Sequence, residues 1–110
     1  MLNRVSIIRA AKEVDHGVCK QIVRRMEEAV GKADVYVDFY DTVWVDSKAI
    51  GLLLGKKRKL AVSTVHLVRV NTNIAWLFEH VGVTLFYDVC ELGKCTFPPG
   101  IERQLNGEMQ

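Results

Sequence analysis

Residues 35–60 of the chain read VYVDFYDTVWVDSKAIGLLLGKKRKL. Val35, Val37 and Phe39 alternate with Tyr36 and Asp38, the period-two pattern of a strand. Tyr40-Asp41-Thr42 is turn chemistry, and Val43-Trp44-Val45 is a second short apolar run that predicts insertion into a core. Asp46 or Ser47 then caps a helix, because either oxygen accepts from backbone N–H groups one turn ahead. Beyond the cap, Ile50, Leu53, Leu54 and Leu60 give one apolar face, and Lys56-Lys57-Arg58-Lys59 give the solvated one. A serine hydroxyl at such a helix mouth is either a plain cap or a place where a phosphate would meet free N–H donors.

The ordered set Asp38-Phe39, Val43-Trp44-Val45-Asp46-Ser47 and Ile50-Gly51 resembles the signature of STAS domains, named for sulfate transporters and anti-sigma factor antagonists. The resemblance runs from about Val5 to Val89. Val14-Asp15-His16 is similar to the family's strand-to-helix turn. Asn71 to Phe78, then Val81-Gly82-Val83, resembles its closing helix and the step into its last strand. By that resemblance the chain is a non-enzymatic regulatory module in a bacterial partner-switching pathway. Its partner is an anti-sigma factor serine kinase, and Ser47 is the phospho-acceptor whose modification breaks the complex. The implied partner surface gathers Asp15 and His16 from one turn, Asp46, Ser47, Lys48, Ala49 and Ile50 from a second, and Asn71 and Thr72 from a third. The family also contains constitutive subunits of transporter ATPases and stress-sensing assemblies; in that alternative Ser47 only caps its helix. Two departures stand out: the family's extra strand ahead of Val5 and its long final helix are reduced or absent. Each departure leaves a sheet edge or apolar surface for a homodimer or a permanent partner to cover.

At 110 residues the chain is one domain with a single core, and 49% hydrophobic with 25% charged residues is globular composition. Fifteen basic against thirteen acidic residues leave a net charge of +2, which makes no electrostatic case for nucleic acid. No apolar run approaches the ~20 residues that a membrane helix needs. The N-terminus lacks a signal-peptide core, because Ser6 and Arg9 interrupt it. These features predict a cytoplasmic protein without direct membrane insertion. Cys19, Cys90 and Cys95 are read as structural or incidental thiols: they lack the clustered four ligands of a zinc site.

Taken in order, Val5 to Ile8 reads as a strand and Ala10 to Val14 as a connection. Asp15 caps a helix whose Val18, Ile22, Met26 and Ala29 form one stripe, and Gly31 ends it. The strand Ala33 to Phe39 and the Ser47 helix follow, then a strand over Val65–Val70. A cap within Asn71-Thr72-Asn73 opens a short helix ending near His80, and Val83–Val89 is the last strand. This alternation predicts an α/β fold with a mainly parallel four-stranded sheet packed with helices. Residues 1–96 form that STAS-like domain, and residues 97–110, opened by Phe97-Pro98-Pro99-Gly100, form an irregular tail with little to bury, in which Ile101 to Leu105 make at most a short helix. Gly51 and Gly55, one turn apart, predict close helix-to-sheet packing, and Lys56 to Lys59 predict a solvated face. Trp44 and Trp76 read as core or rim aromatics. His16, His66 and His80 share no spacing, and no phosphate loop or nucleophile elbow accompanies them, so neither an enzyme nor a cofactor is expected.

Overall fold

In the computed structural model, residues 4–55 and 65–107 are described. The basic run Lys56 to Lys59 and the apolar Leu60 lie outside the described residues. The elements run β1 (Val5–Arg9), β2 (Glu13–Val14), α1 (His16–Ala29), β3 (Asp34–Asp38), β4 (Trp44–Val45) and α2 (Ser47–Gly55). They continue with β5 (Val65–Val70), α3 (Thr72–His80), a 3-10 turn (Val83–Leu85), β6 (Asp88–Glu91) and α4 (Ile101–Leu105). The order β1-β3-β5-β6 makes a four-stranded sheet in which every pairing is parallel. Parallel neighbours need long crossovers, and the three helices α1, α2 and α3 supply them.

The period-two pattern of β3 sorts the molecule into two layers. Val35, Val37 and Phe39 enter the main core with Cys19, Ile22, Val23 and Met26 of α1, Ala49, Ile50 and Leu53 of α2, and Ile74 and Phe78 of α3. Tyr36 points the other way and meets Val68, Ile101 and Leu105 in a smaller cluster. Strand β5 switches phase between these layers. Val65 and Leu67 face the main core, Val68 faces the smaller one, and Val70 faces the main core again. A register shift between Leu67 and Val70 makes this possible, with Arg69 at φ +53. Such a bulge lets two successive side chains share one face at the cost of a left-handed residue, here without glycine.

Five expectations need correction. Val83 to Leu85 is a 3-10 turn after Gly82 (φ +88), so the last strand begins only at Asp88. Glu13 and Val14 are not mere connection: they pair in parallel with Trp44 and Val45 as a separate two-stranded ribbon. That ribbon buries only Val45 of the Val43-Trp44-Val45 run, leaving Trp44 48% exposed. The glycines of α2 do not pack on the sheet, because a Cβ on Gly51 or Gly55 would meet nothing within 4 Å. Finally, the tail has apolar surface to bury. Ile101 and Leu105 of α4 are both buried on the sheet face opposite the three longer helices, with Val5, Ile7 and Phe97 packed beside them.

Candidate functional site

The three helix starts that the sequence singles out are brought together by the β2–β4 ribbon. Val14 and Val45 are register partners, so the next residues, Asp15 and Asp46, stand side by side at the mouths of α1 and α2. The Asp46 N–H donates to the Val14 carbonyl at 3.1 Å, which locks the two turns together. From the third turn, the Asn71 side-chain amide donates to the Thr42 carbonyl at 3.1 Å, just ahead of β4. Thr42 is itself buried and donates its hydroxyl to the Ala11 carbonyl at 2.7 Å.

Each helix carries its own cap. The Asp15 carboxylate accepts from the Val18 N–H at 2.9 Å, Asp46 from the Ala49 N–H at 2.8 Å, and Asn71 from the Ile74 N–H at 2.9 Å. Within Asn71-Thr72-Asn73, the third cap is therefore Asn71. Asp46 occupies the cap position of α2, so Ser47 does not; it is the first helical residue, and it is exposed. In the first turn the Ala49 N–H is held by the Asp46 carboxylate and the Ile50 N–H by the Asp46 carbonyl, at 3.2 Å. The N–H groups of Ser47 and Lys48 are the ones a helix start leaves over.

Asp15, His16, Ser47, Lys48 and Thr72 are exposed, and Asp46 and Asn71 are half-buried. Ala49 and Ile50 are buried in the main core, so they support this surface from beneath and do not face outward. Cys19 lies under the same helix start and donates its thiol to the Ala49 carbonyl at 3.4 Å. Burial, with a smaller push from Asp46, raises its pKa to about 12. Val43, expected in the core, and Trp44, expected at the core or its rim, stand exposed just ahead of Ser47 in the chain and add apolar surface to this end.

Asp38 does not belong to this surface. It projects on the Tyr36 side of β3, 2% exposed, and is held by two guanidinium groups. Arg69 donates to it from Nε at 3.1 Å and from Nη2 at 2.6 Å, Arg9 from Nη1 at 3.0 Å, and the Tyr40 N–H at 3.1 Å. Hydrogen bonding to Asp38 in turn raises the Arg69 pKa, although burial alone would lower it. Both arginines also donate to the Leu105 carbonyl, and Arg69 reaches the Asn106 side chain at 2.8 Å, so the cluster caps the C-terminus of α4. The sequence reading missed this network; Arg69 is far from Asp38 in the chain, and nothing local announces its left-handed backbone. It also missed the disulfide between Cys90 and Cys95, which corrects the expectation of unpaired thiols there. Gly93, at φ +87 between them, reverses the chain and was the only local hint.

No helix among the described residues is long and apolar enough to cross a membrane. No family model matches the chain, and no curated protein matches it by sequence. Solved structures do match. The anti-sigma factor antagonist SpoIIAA in its unphosphorylated form superposes with a TM-score of 0.61 at 23% identity, covering 94% of this chain and 92% of that one. The Bacillus cell fate determinant SpoIIAA in the phosphorylated form gives a TM-score of 0.59 at 21% identity, covering 99% and 95%. Over nearly its whole length, the chain has the α/β STAS fold of the anti-sigma factor antagonist SpoIIAA.

Proposed function

We propose that the chain is a non-enzymatic, anti-sigma factor antagonist-like regulatory module of the bacterial cytoplasm that binds a protein partner through the three helix starts. The partner is a serine kinase of the anti-sigma factor kind, and Ser47 is the residue it phosphorylates. The observation that carries this reading is the division of labour at α2. Asp46 caps the helix, so the Ser47 hydroxyl stands exposed one position further on, in a fold that SpoIIAA displays in phosphorylated and unphosphorylated forms. The side chain needs no local structural partner and is accessible to an enzyme.

The electrostatics are mixed. A phosphate on Ser47 carries about −1.5 to −2 charges and gains from the helix N-terminus and from the neighbouring Lys48 ammonium. Asp46 and Asp15 beside it oppose it. Asp38 does not contribute to that opposition, because it lies across the sheet and is paired with Arg9 and Arg69. At a partner interface the added charge is desolvated against two carboxylates, and that is the basis of the switch.

The test is the affinity of wild type, Ser47→Ala and Ser47→Asp for the candidate kinase, by calorimetry at fixed salt, with peptide mapping after incubation with ATP. Ser47→Ala should bind like wild type and take no phosphate; Ser47→Asp should bind more weakly, though less so than the phosphorylated protein. Equal affinity for all three, with no phosphate on Ser47, would overturn the reading and favour a constitutive scaffold.

A further inference from the structure

We propose that Cys90 and Cys95 form a reversible redox-modification site whose disulfide docks the tail helix α4 on the sheet. The inference is independent of the partner reading, since none of its readouts needs a partner.

Cys90 lies on β6, an edge strand of the sheet, and Cys95 lies just beyond the turn that follows it. Both are half-buried and within reach of a small reagent. Cys19, by contrast, is closed inside the main core.

The chain runs directly from the disulfide into the tail. Phe97 meets Tyr36 edge-on at 6.5 Å, Tyr36 stacks on His66 at 4.6 Å, and the Pro98 carbonyl accepts from the Ile101 N–H at 3.2 Å. Lys94, Thr96, Phe97 and Pro98 thereby wall a cleft of about 250 Å³ floored by Tyr36, His66 and Val68. Helix α4 has only five residues, well under the ~12 at which an isolated helix becomes marginal in water, so it depends on its anchors. Its far end is held by Arg9 and Arg69 at the Leu105 carbonyl, and its near end hangs from the disulfide turn. Both cysteines pack in the same cluster as Ile101 and Leu105. Opening the S–S bond frees the near anchor.

The co-reactant is a low-molecular-weight disulfide, for which glutathione disulfide is the probe. The Cys95 thiolate attacks one of its sulfurs, forming a mixed disulfide and releasing one glutathione thiolate. The Cys90 thiolate then attacks the Cys95 sulfur and expels the second. Two cysteine thiols are oxidised, one glutathione disulfide is reduced to two glutathiones, and the two cysteine protons pass to them.

The experiment equilibrates the full chain in glutathione buffers of varied ratio, traps thiols by alkylation under native conditions, and reads intact mass. Hydrogen exchange is followed in parallel. Excess glutathione disulfide should leave no alkylated cysteine, and excess dithiothreitol should add two labels, on Cys90 and Cys95. On reduction, amides of residues 101–107 should exchange at least about tenfold faster, while those of β3 stay unchanged. A Cys90→Ser/Cys95→Ser double variant should exchange at the fast rate with or without reductant. A pair that stays reduced in excess glutathione disulfide would overturn the proposal. So would exchange in residues 101–107 that is the same in both redox states of the wild-type chain.

Discussion

Replacing Asp38 with alanine tests whether the buried Arg9–Asp38–Arg69 cluster sustains the fold. The carboxylate accepts four hydrogen bonds, three of them from guanidinium groups, and is 2% exposed. Its removal acts unequally on its partners. Arg69 is only 12% exposed and would keep a charge in a confined space with its main acceptor gone. Arg9 is 51% exposed and can turn to water. Deleting one member of a buried ion pair costs about 3–5 kcal/mol, against a total stability of about 5–15 kcal/mol for a domain of this kind. Arg9→Ala should cost no more than about 1 kcal/mol, because solvent already screens that pair. With a urea m-value of about 1–3 kcal/mol per molar, Asp38→Ala should lower the unfolding midpoint by about 1 M or more. Far-UV circular dichroism is the suitable probe, since Trp44 and Trp76 are both exposed and their emission reports poorly on the core. A double variant, Asp38→Leu/Arg69→Met, should recover much of the loss, because it removes the stranded charge along with its partner. An unfolding free energy for Asp38→Ala within about 0.5 kcal/mol of wild type, as at an exposed site, would refute a structural role for this cluster.

Two further outcomes follow from burial. Gly51→Ala should stabilise the protein by about 0.5–1 kcal/mol in urea unfolding, since the new methyl meets open space and alanine favours the helix; a loss of stability would mean the glycine is packed after all. For Cys19, whose pKa is raised from 9.0 to about 12, the folded state keeps a proton that the unfolded state releases. The stability this contributes is complete below pH 9 and declines as pH rises from there through about 12. Alkaline unfolding curves of wild type and Cys19→Ala should converge over that window, and parallel curves would contradict the assignment.

The local chemistry of the chain was enough to place β1, α1, β3, α2, β5 and α3, because alternation, amphipathic stripes and Asx caps act over a few residues. Asp15, Asp46 and the Asn71 segment were visible as helix starts for the same reason, and the parallel topology followed from the helices between strands. What local pattern left undecided was which oxygen caps α2, since Asp46 and Ser47 are both competent. The ribbon settles it, by tying the Asp46 N–H to Val14 and aiming its carboxylate at Ala49. The outward face of Gly51, the exposure of Trp44, the Arg9–Asp38–Arg69 cluster and the Cys90–Cys95 bond depend on residues distant in sequence or on reversals at single positions. A short helix over Ile101–Leu105 was legible in the sequence, but five residues have too little intrinsic stability to hold without a surface, and that surface was not legible. Only when Tyr36, Val68 and the two arginines converge from three strands do Ile101 and Leu105 acquire a surface to bury against, and tertiary contact therefore decided the fate of the tail.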